Sequence, residues 1–281
     1  MVMNNHDIQA CAQACDCKIE FHEGEALLAG QPVQCLRLLG AGAASLEAAL
    51  ADAAIEVLGT GEFDGERILL LDRGQALREP LSAEGPGSLG ALGQRAATWQ
   101  ARHPAQAMPE VSGYRRGVLQ QRLRERADAL GKDLSADERA LLDAELHHQS
   151  LYRFEDLPLA GSYWQSVRVY PEGAGLADLV MPPAPVPAFW QLARIALAVA
   201  VDDTGEIRAE AYRALLVGYH AERPLAAIER GAAPTLLRLA ALEDWITQLE
   251  SGAAGAAERQ RLATLQEHAA RAQGMWVRAA A

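Results

Sequence analysis

Gly218-Tyr219-His220-Ala221-Glu222-Arg223-Pro224-Leu225, followed by Glu229 and then by Pro234-Thr235-Leu236-Leu237-Arg238-Leu239-Ala240-Ala241-Leu242-Glu243-Asp244-Trp245, is the stretch on which the reading of this 281-residue chain turns. Around it, apolar residues recur at helical spacing. Helices are predicted over 188–201, 206–219, 234–249 and 256–276, the third with Leu239, Leu242, Ile246 and Leu249 on one face as a core row. Upstream, 88–101 and 114–130 are amphipathic candidates. Ser135-Ala136-Asp137-Glu138 is a capping box that opens a helix reaching His147, the clearest start signal in the chain.

Toward the N-terminus the pattern changes. Residues 1–78 read as a small α/β lobe: a short helix over 7–15, an extended segment over 17–22, and strands over 26–28 and 33–39 separated by Gly30-Gln31-Pro32 as a turn. Ser45 caps a predicted helix over 46–54, and 55–58 and 67–71 read as further strands. The stretch 72–87, with Gly74, Pro80, Gly85 and Pro86, reads as the connection to a mainly helical second lobe, 79–281. Within that lobe the helical pattern fails between Pro158 and Pro187, where 166–170 suggests a strand ahead of the polyproline-like run 182–187. The fold class expected is α+β, with a small antiparallel-sheet lobe and a larger helical lobe.

Composition narrows the partners. Half the residues are apolar, which excludes a disordered chain. With 37 acidic against 26 basic residues the formal charge is −11, a field that disfavours nucleic acid and anionic lipid. The most apolar run, Ile195-Ala196-Leu197-Ala198-Val199-Ala200-Val201, is far shorter than the ~20 residues that cross a bilayer. The N-terminus has no secretory pattern, so a cytoplasmic protein is expected. Cys11, Cys15, Cys17 and Cys35 crowd the first lobe near His6 and His22, but C-x3-C-x-C matches no common zinc spacing. Cys11 and Cys15, one helical turn apart with Ile8 and Ala12, read as buried thiols, and no metal is expected.

The G-Y-x-x-x-R-P-L element at 218–225 and the helix after it resemble the closing segment of the homoserine kinase branch of the aminoglycoside/choline phosphotransferase-like superfamily, which has a protein-kinase-like fold. Leu89-Gly90-Ala91-Leu92-Gly93 with Trp99 is similar to that family's first helix of the second lobe. The segment 134–142 is similar to the helix before the catalytic loop, and 196–203 to D-L-A-I-A-V-N-D with Ala196 in place of the aspartate. The resemblance implies a bilobal kinase-like fold and a catalytic H-x-D-x-x-x-x-N loop at 161–170. Gly161-Ser162-Tyr163-Trp164-Gln165-Ser166-Val167-Arg168-Val169-Tyr170 contains no Asp, Asn or His, and no H-x-D occurs anywhere in the chain.

Phosphoryl transfer needs a carboxylate at the acceptor hydroxyl, ligands for magnesium and a cation on the phosphates. By resemblance, Asp178 stands where a second metal ligand belongs, with the following spacing too long; a solvated loop carboxylate is the favoured reading. Arg37, in Cys35-Leu36-Arg37, takes the place of the family's phosphate-binding Lys and would pair with Glu47, although an exposed strand arginine explains it equally well. The segment joining the first strands, His22-Glu23-Gly24-Glu25, is acidic and unsuited to phosphate.

Other constellations carry less. Gly40-Ala41-Gly42-Ala43-Ala44-Ser45 reads as a turn with an N-cap and not as a dinucleotide loop, and Gly85-Pro86-Gly87-Ser88-Leu89-Gly90 as a linker and helix start. Arg115, Arg116, Arg122, Arg124 and Arg126 read as a solvated helix face, since only Tyr114 accompanies them for stacking on RNA. The function expected is a non-catalytic pseudoenzyme binding a protein or small ligand, with no cofactor. One alternative is a divergent ATP-dependent small-molecule kinase using Mg-ATP with Arg37, Glu47 and Asp178. The other is an assembly protein docking through an exposed patch around Trp164, Phe189 and Trp190.

Overall fold

The computed structural model describes residues 5–22, 25–29, 31–38, 57–63, 65–72, 79–80, 86–102, 113–130, 134–170 and 173–279. The chain divides into two compact units. One comprises residues 1–78 with 164–168 and 175–182, the other the remainder. The predicted helix over 46–54, with Ser45 and Glu47, and the Gly40-to-Ser45 turn lie outside the described residues.

In the first unit a helix, α1 (Asn5–Ala14), accompanies a five-stranded antiparallel sheet of order β1-β2-β3-β5-β4. Its strands are β1 (Glu20–His22), β2 (Glu25–Leu28), β3 (Gln31–Leu38), β4 (Val57–Phe63) and β5 (Glu66–Asp72). Cross-strand partners share a face, so Cys35 opposite Leu70 and Val33 in phase with it form one apolar surface. That surface joins Cys11, Ala12, Cys15 and Ile19 in a single core cluster. Leu69 and Leu71 are equally buried, which is why β5 reads as an uninterrupted apolar run and not an alternation. The buried-thiol reading holds for Cys11 and Cys15, and Cys35 joins them.

Three boundaries differ from expectation, each for a local reason. The extended segment starts at Glu20, because the Cys17 amide donates to the Ala12 carbonyl (2.8 Å) and Asp16 turns left-handed (φ 53°), which winds 15–17 onto the end of α1. Gln31 and Pro32 belong to β3, with Leu28 opposite Gln31 and Ala29 taking the positive φ (52°) of the turn. β4 runs on through Gly59-Thr60-Gly61, with a register shift between Val57 and Gly59. A Cβ on Gly61 would lie 2.2 Å from the Ala14 carbonyl oxygen, so these glycines admit the helix and do not end the strand.

The second unit contains β6 (Glu79–Pro80) and helices α2 (Pro86–Arg102), α3 (Arg116–Ala129) and α4 (Ala136–Leu151). After the strands β7 (Leu159–Tyr170) and β8 (Gly173–Pro187), which lie partly in each unit, come α5 (Ala188–Val199), α6 (Ala209–Glu222), α7 (Ala227–Glu250), α8 (Ala256–His268) and α9 (Ala270–Ala279). The capping box forms as predicted: Ser135 Oγ accepts from the Glu138 amide, and Glu138 Oε2 accepts from the Ser135 amide at 2.9 Å. The segment 256–276 is two helices parted at Ala269. α7 starts well before Pro234, which sits in its interior and leaves one helical hydrogen bond unmade.

Glycine sets the packing of α2 against α6. A Cβ on Gly218 would meet the Gly90 carbonyl oxygen at 1.9 Å, and one on Gly93 would meet the Leu215 carbonyl oxygen at 2.1 Å, so the two backbones touch where side chains would otherwise stand. Elsewhere the helices are tied by buried charge. Glu145 of α4, fully buried, accepts from Arg238 of α7 (2.6 and 3.0 Å) and from Gln266 of α8 (3.0 Å). Arg122 and Arg126 of α3 turn onto α7, pairing with Glu243 and Glu250 at 2.7 Å each, so the basic run is solvated only at Arg115, Arg116 and Arg124.

The expected exposed aromatic patch is not formed by the residues described there. Phe189 is fully buried, and Trp190 is covered by Tyr114 (ring centroids 5.2 Å apart) and by the Arg194 guanidinium, which is itself held by Asp244 at 2.6 Å. Apolar aromatic area adjoining the core is buried because burial is where it contributes most.

Gly218→Ala is expected to destabilise the protein by about 2–3 kcal/mol or more, since backbone must give way. Gly231→Ala, in the exposed interior of α7 with open space around the new methyl, should stabilise by up to about 1 kcal/mol. Urea unfolding followed by tryptophan fluorescence measures both. In native-state alkylation read by mass spectrometry, Cys15, whose thiol is pushed up to about 11 by burial and by the neighbouring Cys17 and Cys11, should remain unmodified after half-buried Cys17 has reacted.

Candidate functional site

The Tyr219-to-Glu229 motif joins α6 to α7 and spends its polar groups on itself. The Tyr219 hydroxyl donates to Gln100 Oε1 of α2. Gln100 Nε2 in turn donates to the Ala188 carbonyl (2.8 Å) and to Gln191 Oε1 (3.2 Å) on α5. Arg223 Nη1 donates to the Tyr219 oxygen (3.3 Å) and to Glu229 Oε1 (2.8 Å), while Glu229 Oε2 takes the Ala226 amide (3.0 Å) at the start of α7. The Leu225 amide donates to His220 Nδ1 (3.1 Å), and Arg230 Nη1 donates to the Leu225 carbonyl (2.6 Å).

Burial sets the electrostatics of this junction. Tyr219 and Glu229 are sealed from solvent. Desolvation raises the Tyr219 hydroxyl far above its ordinary range, with Glu229 adding to the rise and Arg223 opposing it, so the phenol stays protonated and donates. Burial works against the Arg223 charge, and Tyr219 and Glu229 together more than offset it. The arrangement holds four helices, α2, α5, α6 and α7, at one point and commits the buried Tyr219 and Glu229 to partners within the fold. The motif that carries the family resemblance is therefore architectural.

The segment where a catalytic loop is expected is continuous strand. β7 runs without a break through 161–170 and lies in a three-stranded sheet of order β6-β8-β7. β8 likewise takes in the proline run 182–187, which was expected to be polyproline-like. β6 pairs only with Gly173 and Ala174, so farther along β8 has a single described strand neighbour, an edge position that prolines tolerate. The Ala188 amide donates to the Pro158 carbonyl (2.8 Å), closing the base of the hairpin where α5 begins.

Of the three sequence candidates, the backbone places Arg37 on β3 opposite Ile68, and Asp178 on β8 within the segment 175–182 that groups with the first unit. Glu47 lies outside the described residues. Among the described residues no three His, Cys, Asp or Glu side chains gather as metal ligands. No helix among them is long and apolar enough to cross a membrane. Sequence reasoning missed the buried partners Gln100 and Glu145 and did not foresee the burial of Glu229, because a polar residue inside an amphipathic helix looks the same in sequence whether it faces water or a partner.

No family model matches the chain. A choline/ethanolamine kinase family protein from Mesorhizobium loti superposes with a TM-score of 0.58 at 13% identity, over 96% of this chain and 98% of its own. A microcompartment-associated aminopropanol kinase superposes with a TM-score of 0.51 at 12% identity, over 95% and 98%. The chain has the fold of the protein-kinase-like phosphotransferases. At such identity the likeness reaches the fold and does not extend to the homoserine kinase branch.

Arg223→Met, which strands the buried Glu229 carboxylate, is expected to cost about 2–4 kcal/mol. The double variant Arg223→Met/Glu229→Met should recover most of that loss. Chemical denaturation of the two variants beside the parent checks the pair, and an unrecovered double variant would show that the ion pair is not the origin of the cost.

Proposed function

We propose that this protein is a non-catalytic member of the phosphotransferase-fold proteins, a pseudoenzyme that binds a protein or small-molecule ligand. The observation that carries the reading is the unbroken strand over 161–170, a stretch without Asp, Asn or His, at the place where the fold's catalytic loop is expected. Phosphoryl transfer is mostly positioning and charge neutralisation, so a stretch without Asp, Asn or His lacks the base and the metal ligand that the loop's pattern would supply. Support also comes from the Tyr219–Glu229 junction, whose titratable groups are consumed in helix packing.

The two kinases of similar fold supply the test substrates. With ATP and magnesium, and with choline, ethanolamine or aminopropanol as acceptor, the protein is expected to form no ADP and to show no magnesium-dependent rise in Tm. ADP formation together with a magnesium-dependent rise would overturn the reading in favour of a divergent small-molecule kinase, with Arg37, Glu47 and Asp178 the first residues to substitute.

A further inference from the structure

All four cysteines of the chain belong to one cluster. Cys11, Cys15 and Cys35 are buried in the core of the first unit, half-buried Cys17 packs against that core, and none of the four is in a disulfide. Packing accounts for the three buried thiols, which behave as small apolar side chains. It does not account for Cys17, the most exposed of the four.

The end of α1 turns Cys17 back beside Cys15. The Cys17 amide donates to the Ala12 carbonyl (2.8 Å) and the Asp16 amide to the Gln13 carbonyl (3.0 Å), the paired bonds of a Schellman turn, with Asp16 in the left-handed position (φ 53°). Within this turn the Cys17 thiol donates to the Cys15 carbonyl at 3.3 Å. Gly59 of β4 gives a second, independent observation. A Cβ there would lie 2.9 Å from Cys17 Sγ and 3.1 Å from Cys15 Cβ, so both side chains converge on the one spot that the strand leaves bare. Burial, and after it the neighbouring Cys17 and Cys11, raises the Cys15 thiol, which leaves Cys17 as the point of entry for a reagent.

We infer that Cys15 and Cys17 are a redox pair, closing to an intrachain disulfide by exchange with a small-molecule disulfide and reopening with a small-molecule thiol. The Cys17 thiolate attacks one sulfur of the incoming disulfide, whose bond breaks. A mixed disulfide forms on Cys17, and the departing thiolate takes up the proton that Cys17 lost. Cys15 then bonds to Cys17 Sγ, the mixed disulfide breaks, and its second half leaves as a thiol carrying the Cys15 proton. Two cysteine thiols are oxidised and one disulfide is reduced to two thiols. Closure removes the hydrogen that Cys17 gives to the Cys15 carbonyl and ties the cap of α1 covalently at its contact with β4. The pair lies within the first unit and stands whether or not the protein transfers phosphate.

Glutathione disulfide is the probe. The native chain is incubated with it, quenched in acid, unfolded, alkylated and mapped by mass spectrometry with fragmentation. A Cys15–Cys17 bridge is expected, seen as the loss of two hydrogens from the segment holding both, with Cys11 and Cys35 recovered alkylated and the bridge reopened by dithiothreitol. Closure should be more complete in the native chain than in the urea-unfolded one. Cys15→Ala should stop at a lasting glutathione adduct on Cys17, and Cys17→Ser should lose adduct and bridge together. A lasting adduct on Cys17 of the parent, a bridge through Cys11 or Cys35, no reaction at Cys17, or equal closure in the unfolded chain would each overturn the assignment.

Discussion

Direct contact of backbone with backbone between α2 and α6 is the constraint from which the helical unit is built. Gly90 and Gly93 on one helix meet Gly218 and the Leu215 carbonyl on the other, at distances that leave no room for a single methyl group. Helices this close must keep their register, and the register brings Tyr219 to Gln100 and, through Gln100, to the first turn of α5. The next residues carry Arg223 to Glu229 and so fix the start of α7. One close approach thus positions four helices, and the later bonds are polar pairs among largely buried groups.

The same economy appears at the other charged centres. Glu145 is buried because Arg238, Gln149 and Gln266 all donate to it, joining α4, α7 and α8. Arg194 and Arg122 lie over the Trp190 and Tyr114 rings and are neutralised by Asp244 and Glu243. Such clusters hold the helices in one arrangement, and truncating a single partner is costlier than the worth of the pair suggests. Burial is also the largest cause of the raised Tyr114 and Tyr219 hydroxyls.

Much of the fold was legible in residue spacing. The capping box at Ser135 and Glu138 named its helix, and of the expected core row Leu239, Leu242 and Ile246 are buried while Leu249, near the helix end, is half-buried. What was not legible depended on neighbours distant in sequence. Gly59 and Gly61 look like strand breakers until α1 is seen lying against them, and Phe189 and Trp190 look like surface aromatics until Tyr114 and Arg194 cover Trp190. The candidate site was legible mainly by subtraction, since 161–170 contains no Asp, Asn or His. The length of the hairpin strands at the place expected for the loop was not, because prolines in 182–187 argue locally against β structure and are admitted by the edge position.

The central claim is that strand occupies the place of a catalytic loop, and amide hydrogen exchange across 159–187 tests it most directly. A hydrogen-bonded hairpin predicts slow exchange at alternate amides through 161–170 and on β8, with the proline positions silent. Uniformly fast exchange through 161–168, or protection there that appears only when magnesium and nucleotide are added together, would contradict it.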